Sequence, residues 1–261
     1  MAAVSISVII PFYNEADNVV PLANELAVEQ RQIPGFSAIF VDDGSVDGTW
    51  DAIRQASASH PWIRGLRHGV NRGQSAALLS GFRETSSDVI VSMDGDLQND
   101  PRDIRRLLER LEHCDVVCGY RERRDDSFSR RFGSAVANRV RRWVTHDGVR
   151  DTGCGLKAFR RDCLRDLPAL NGMHRFMPAY FLLHGRRLEQ IPVSHRPRQR
   201  GVSKYSNLRR LPRTLFDLAG FYWYRSRLLA EKPVTSPAPV PAALESEASN
   251  QAPLASDIAR R

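Results

Sequence analysis

Residues 88–96 read DVIVSMDGD, an apolar run of buried-strand type that ends in two carboxylates one residue apart. Similar runs lie on either side of it. VSISVII (4–10) is a β-branched run ended by Pro11 and Asn14. FSAIFVDD (36–43) closes on Asp42, Asp43 and Gly44, WIRGLRH (62–68) is a weaker strand, and CDVVCGY (114–120) is a fifth. Helical spacing falls between them over 16–31, over about 47–58 (after Ser45, with Asp47 near the cap), over 73–85 and, after Pro101, over 102–112. Strands alternating with helices of roughly 10–15 residues predict βαβ units and an α/β fold with a mostly parallel sheet flanked by helices.

The polar residues gather at the carboxyl ends of these strands. Pro11–Glu15 follow the first strand, Asp42 and Asp43 the second, Asp94 and Asp96 the fourth, and Arg121 the fifth. In open α/β sheets the ligand crevice lies outside those ends, so these segments converge on one rim. Further along, 128–145 is basic and helical in pattern, GCGLKAF (153–159) is a short strand, RLEQIPVSHRP (187–197) a longer one, and 205–229 is helical and rich in aromatics. Five of the 15 prolines fall after residue 232, among Ala and Ser, which reads as a disordered tail. The expected organisation is a catalytic domain over 1–204, an amphipathic helix over 205–230 and a tail over 231–261.

The chain has 261 residues, 42% hydrophobic and 26% charged, with 38 basic against 30 acidic residues and a formal charge of +8. That is an ordinary globular composition. Only Lys157, Lys204 and Lys232 are lysines, so arginine makes up nearly all of the basic residues. Arginine suits phosphate through planar bidentate contacts, although such charge also serves as a solvated surface. No apolar stretch reaches the ~18 residues of a membrane span. The first residues, MAAVSISVIIPFYNE, lack a basic start and a cleavage site and read as a strand, not a secretory leader. Cys114, Cys118, Cys154 and Cys163 show no zinc spacing, which suits free thiols in a reducing compartment. A cytoplasmic location is expected.

Asp94-Gly95-Asp96 carries the chemistry. Two carboxylates one residue apart at a strand end would share a divalent cation, with Gly95 keeping the backbone open and Gln98 adding a neutral oxygen. All-oxygen donors suit Mg²⁺ or Mn²⁺ and leave room for substrate phosphates. The plain alternative is a polar turn, and the neighbouring rim carboxylates argue against it. Arg121, the pair Arg130 and Arg131, and the cluster Arg196, Arg198, Arg200 and Lys204 around Gly201 are candidate phosphate cations or a solvated loop. Asp151 is a general base, an orienter or a turn residue.

These residues together resemble family-2 glycosyltransferases of the GT-A fold, in the branch of dolichol- and polyprenyl-phosphate sugar synthases. The matching segments, in the family's order, are PFYNE (11–15), VDDGSVDGT (41–49), NRGQSAAL (71–78), MDGDLQNDP (93–101), GYR (119–121), RRFGS (130–134), DTGCGLKAF (151–159) and RPRQRGVSKY (197–205). The resemblance implies a Rossmann-like GT-A domain that binds a nucleotide-diphosphate sugar. Pro11, Tyr13 and Glu15 would line the nucleotide pocket, and Asp42 and Asp43 would read base or ribose. Asp94 would lie near ribose and metal, Asp96 and Gln98 would hold the metal, and Arg198 and Lys204 would clamp the diphosphate. Arg121, Arg130, Arg131 and Ser134 would contact the acceptor phosphate.

The implied reaction is a single inverting displacement at the anomeric carbon. A phosphate-monoester acceptor, with a second pKa near ~6, is largely dianionic at neutral pH and needs no strong base. A hydroxyl acceptor, as in lipopolysaccharide or glycan assembly, would need one, and Asp151 is the nearest match. The absence of a QxxRW motif argues against a polysaccharide synthase. Many members of the branch carry C-terminal membrane helices, and this chain has none in its sequence. Membrane access would then rest on 205–229, where Leu208, Leu211, Leu215, Leu218, Tyr222 and Leu229 keep close to helical spacing beside Phe216, Phe221, Trp223 and Tyr224. With Arg209, Arg210, Arg213, Arg225 and Arg227 flanking them, these residues suit a helix lying in an anionic membrane interface. The competing reading packs this helix on the catalytic domain or a partner subunit.

The expected enzyme is therefore peripheral on the inner face of the cell membrane. It would take a nucleotide-diphosphate sugar and a polyprenyl (undecaprenyl or dolichyl) phosphate, with a membrane partner subunit or a homo-oligomer left open. A non-catalytic nucleotide-sugar-binding scaffold is the alternative from another class, and both aspartates of the DGD turn speak against it. Nucleic acid is not an expected partner, because the carboxylate-rich rim would repel a polyanion.

Overall fold

The computed structural model describes residues 4–122, 141–197 and 207–229, excepting the side chains of 207–214. Expectations that fall on Arg130, Arg131, Ser134, Arg198, Arg200, Lys204 and the tail lie outside the described residues. The chain divides after Ser226, and every named element lies in the first unit apart from the last residue of its final helix.

Seven strands form one sheet: β1 (Ile6–Phe12), β2 (Phe36–Asp42), β3 (Ile63–Arg67), β4 (Val89–Ser92), β5 (Val116–Arg121), β6 (Lys157–Arg160) and β7 (Leu188–Val193). Their order is β3-β2-β1-β4-β6-β5-β7. Every pairing is parallel except those of β6, which runs antiparallel between β4 and β5. The chain travels outward from β1 through β2 to β3, then returns to place β4 on the other side of β1. The β1/β4 boundary is therefore the topological switch point, where open α/β sheets form their crevice.

Alternation along the strands splits the core into two layers. On one face, Ile6, Val8, Ile10 and Phe12 meet Val19, Leu22 and Leu26 of α1 (Ala16–Gln30), Ile53 of α2 (Thr49–Ser59), and Ile104, Leu107 and Leu111 of α4 (Asp103–Leu111). On the other, Ile9, Ile39 and Ile90 meet Ala77, Leu78 and Phe82 of α3 (Gln74–Glu84) and Met177, Tyr180 and Phe181 of α5 (Met177–Leu183). All four cysteines are free and buried. Burial pushes the Cys118 and Cys163 thiols up to about 12, so these are packing groups and not nucleophiles.

Three local outcomes differ from the sequence reading. β1 does not stop at Pro11 but pairs Pro11 with Val41 and Phe12 with Asp42. Pro11 is tolerated because odd-numbered residues of β1 turn their main chain toward β4, as in the Met93 N–H to Ile9 carbonyl bond, and the β1–β4 register ends at Ile9. The short strand expected at 153–159 begins only at Lys157, leaving 153–156 as a loop. Strand β7 ends at Val193, and beyond it His195 makes an isolated bridge to Asn99.

The final helix, α6 (Asn207–Arg227), both packs on the domain and exposes an apolar face. Phe221 is 1% exposed, stacked on Phe176 at 5.5 Å and tilted against Tyr180 at 5.1 Å. Leu218 is buried beside it, and Asp217 pairs with Arg175 at 2.7 Å. Phe216 and Trp223, 79% and 63% exposed, point the other way, with Leu215 and Tyr222 also exposed. The single stripe read from the sequence is thus divided between the core and solvent. Arg225 ties α6 to the helical residues 141–145 through the Val144 carbonyl at 3.1 Å, and the exposed Trp143 lies in that segment. No helix among the described residues is long and apolar enough to cross a membrane.

Candidate active site

The DGD turn leaves β4 and crosses the end of β1. A Cβ on Gly95 would lie 2.6 Å from the Phe12 ring and 3.0 Å from the Pro11 carbonyl oxygen, so glycine permits the crossing. Leu97 then turns back with a φ of 61°, a conformation that costs a non-glycine residue energy and is held here by burial of its side chain. Asp94 is half-buried. Its Oδ1 accepts a 2.9 Å hydrogen bond from Gln74 at the start of α3. Behind it lies Gly155, where a Cβ would meet the Asp94 Cγ and Oδ2 at 2.3 Å. The antiparallel placement of β6 brings this glycine there: Ser92 pairs with Lys157, and the Ser92 hydroxyl donates to the Gly155 carbonyl at 2.8 Å.

Burial, and then the charge of Asp96, push the Asp94 carboxyl up to about 6, while Lys157, Arg121 and the Gln74 amide pull it back. A carboxyl raised by its neighbour's charge, an open glycine cradle and an oxygen-only donor set fit a hard divalent cation. Among the described residues no group of three His, Cys, Asp or Glu side chains comes together, so the protein's share of such a site is small. The Asp96 Oδ1 accepts the Gln98 N–H at 3.2 Å, and the Gln98 amide reaches the Arg196 carbonyl at 3.3 Å.

A carboxyl held above its unfolded value of 3.8 favours the folded protein while protonated and loses that advantage as pH rises through about 6. Asp94→Asn is therefore expected to be more stable than the metal-free parent at pH 8, by at most about 3 kcal/mol, with the gap closing toward pH 4. Denaturant melts of both proteins across that range check it, and a gap independent of pH would contradict it.

Arg121, the last residue of β5, and Asp151 form a bidentate pair, Nε to Oδ2 at 2.6 Å and Nη2 to Oδ1 at 2.9 Å. The main-chain N–H groups of Arg121 and Gly153 also approach Asp151, at 3.3 and 3.2 Å. Burial works against the guanidinium's charge, but the Asp151 contacts outweigh it and raise the Arg121 pKa. Of the roles read for Asp151, orienter agrees with this geometry. The base role meets two oxygens already engaged.

The second rim pair divides its work. Asp42 is fully buried; its Oδ1 caps the Ser45 N–H at 2.9 Å and its Oδ2 meets Arg67 at 3.2 Å. Asp43 holds the following loop, its two oxygens accepting from the N–H groups of Arg72 and Gly73 at 3.0 and 2.7 Å and from Asn71 at 3.0 Å, with His68 at 2.8 Å. This saturation favours loop anchoring by Asp43 over a free nucleotide contact. Tyr13 and Glu15 lie half-buried just past β1, where the Asn14 N–H donates to the Ser45 hydroxyl and the Val46 N–H to the Asn14 Oδ1, both at 2.9 Å, fastening the two loops together.

Arg196, read as a candidate phosphate cation, is corrected by its partners: it pairs with Glu25 at 2.8 Å and Asp100 at 2.9 Å. The sequence reading missed Gln74, Gly155 and Lys157 as neighbours of Asp94. All three sit inside the quoted motifs NRGQSAAL and DTGCGLKAF, but spacing gives no sign of which strand they adjoin.

Comparison with known proteins places the chain by family and by fold. The chain is 33% identical over 235 residues to a dodecaprenyl-phosphate galacturonate synthase of Rhizobium johnstonii, covering 86% of this chain and 69% of that protein. It is 34% identical over 217 residues to an undecaprenyl-phosphate 4-deoxy-4-formamido-L-arabinose transferase of Pseudomonas fluorescens, covering 82% and 63%. The chain thus spans about two thirds of the length of these curated relatives. Two solved structures share the fold. One is the mannosyltransferase PcManGT of Pyrobaculum calidifontis with GDP-Man and Mn²⁺ (TM-score 0.64, 18% identity, 89% of this chain and 67% of that one). The other is glucosyl-3-phosphoglycerate synthase of Mycobacterium tuberculosis with Mn²⁺, UDP and product (TM-score 0.66, 20% identity, 88% and 82%). The model of glycosyl transferase family 2 matches residues 7–167, more than half of the chain, and the chain belongs to that family.

Proposed function

We propose that this protein transfers a glycosyl group from a nucleotide-diphosphate sugar to the phosphate of a polyprenyl lipid. The observation that carries the reading is the half-buried Asp94–Asp96 pair at the β1/β4 switch point, with Arg121 held by Asp151 nearby, in a chain one third identical to polyprenyl-phosphate sugar transferases. The donor lies across the end of β1, against Pro11, Tyr13 and Glu15, with Asp42 and Asp43 shaping the base and ribose side. Asp94 and Asp96, with Gln98, hold Mg²⁺ or Mn²⁺. Such a cation supplies Lewis-acid neutralisation of charge on the departing diphosphate. Arg198 and Lys204 are assigned to the diphosphate by resemblance, and Arg130, Arg131 and Ser134 to the acceptor phosphate.

Asp151 takes Nε and Nη2 of Arg121 and leaves Nη1 for the acceptor phosphate, since a guanidinium carries five N–H donors in a fixed fork. A dianionic phosphate attacks the anomeric carbon without a base. A hydroxyl acceptor would call on Asp151, whose engagement with Arg121 favours the phosphate reading. The test is acceptor dependence. Release of nucleoside diphosphate should require added polyprenyl phosphate and ignore the matching polyprenol, and equal release with both would overturn it.

The outward face of α6 serves as the lipid contact. Phe216, Trp223, Leu215 and Tyr222 would enter the interface of an anionic membrane, setting the domain on its inner, cytoplasmic face. Phe216→Ser combined with Trp223→Ser should lower binding to anionic vesicles at least about tenfold, following the ~25 cal/mol per Å² of buried apolar surface. The melting temperature should hardly change, because neither side chain packs in the core. Sedimentation with vesicles reads the effect, and unchanged binding would remove α6 from this role.

A further inference from the structure

Lys157 is 3% exposed, in the middle of the sheet, paired in register with Ser92 of β4 and Cys118 of β5. A buried ammonium has three donors to satisfy and is costly unless paired. Here it donates to the Cys154 carbonyl, and among the described residues no carboxylate lies within 4.0 Å of it. Its register partner Ser92 lies two residues before Asp94. Gly155, whose Cα backs the Asp94 carboxylate, lies two residues before Lys157 itself. A positive charge therefore stands in a water-poor layer close to Asp94.

We propose that Lys157 is a resident counter-charge that makes the Asp94–Asp96 site weak for a divalent cation alone and receptive to an anion. This rests on the proposed donor site and extends it to a residue that touches neither substrate nor metal, so Lys157 is a positioning charge and not a catalytic residue. With Lys157 present, the cation meets two carboxylates less one positive charge, while a diphosphate gains an attraction that the bare pair would deny it. The field is strong because little water screens it. Among charges acting on Asp94, Lys157 is the leading one that favours ionisation, ahead of Arg121. The consequence is that cation and nucleoside diphosphate enter together.

Removing the charge should move the two ligands in opposite directions, which loss of structure would not do. Mn²⁺ alone and UDP and GDP alone are titrated calorimetrically into the full chain, as wild type, Lys157→Met and Lys157→Arg. Lys157→Met is expected to bind Mn²⁺ about tenfold more tightly and the nucleotide about tenfold more weakly, within the usual range of site-to-site coupling. Lys157→Arg should stay near the wild type. If the Met variant does not fold, Lys157→Gln, which keeps a donor for the Cys154 carbonyl, carries the same titrations. Weakening of both ligands, or no change in either, overturns the inference. Should neither nucleotide bind the wild type, the donor reading fails, and the Mn²⁺ titrations still decide the role of Lys157.

Discussion

Asp96→Ala is expected to lower glycosyl transfer by at least about a thousandfold while leaving the fold in place. Asp96 is half-buried on the rim, outside both apolar layers of the core, and its Oδ1 accepts the Gln98 N–H two residues on. Its charge is one of the two influences that hold the Asp94 carboxyl near 6. Taking it away relieves Asp94 and costs little stability, but it removes half of the carboxylate pair. The check is kcat/KM for transfer together with a thermal melt. A folded variant with near-normal turnover would exclude Asp96 from metal binding. A variant that loses its melt would instead give it a structural role.

Gly155→Ala should cost at least about a hundredfold in kcat/KM, although it adds only a methyl group far from any substrate in sequence. The added Cβ would lie 2.3 Å from the Asp94 Cγ and Oδ2 and 2.6 Å from its Oδ1. All three close atoms belong to Asp94, whose Oδ1 also accepts from Gln74 at 2.9 Å, so the displacement falls on Asp94 itself. Misplacing a reacting group by an ångström is enough for a loss of that order. Overpacking at the site should cost about 1–3 kcal/mol of stability, which a denaturant melt separates from the catalytic loss. Because both changes act on one carboxylate, Asp94→Ala with Gly155→Ala should be no slower than Asp94→Ala alone. Additive losses would mean that Gly155 matters for some other reason.

The first half of the fold is legible because its strands are uninterrupted apolar runs and its helices sit between them. Ile6–Phe12, Phe36–Asp42 and Val89–Ser92 were readable for that reason, and so was the rim where Asp94 and Asp96 emerge. The position of β6 was not readable. Four residues, Lys157–Arg160, carry no periodicity that names a partner, and their insertion between β4 and β5 is fixed by long-range pairing. With β6 unplaced, Gly155 and Lys157 had no visible connection to Asp94. Arg196 misled for the opposite reason. It stands in a run of basic residues, but Glu25 and Asp100, distant in the chain, claim it. In α6 the helical period was evident, whereas the choice of buried side was made by Phe176 and Tyr180, which pack on Phe221 and leave Phe216 and Trp223 outside.

The most direct measurement is mass spectrometry of the lipid phase after the protein has reacted with undecaprenyl phosphate, Mg²⁺ or Mn²⁺, and a pool of UDP- and GDP-sugars. A new lipid whose mass equals the polyprenyl phosphate plus one glycosyl unit is the predicted result, and it should be missing with Asp96→Ala. Release of nucleoside diphosphate with no new lipid would contradict the account.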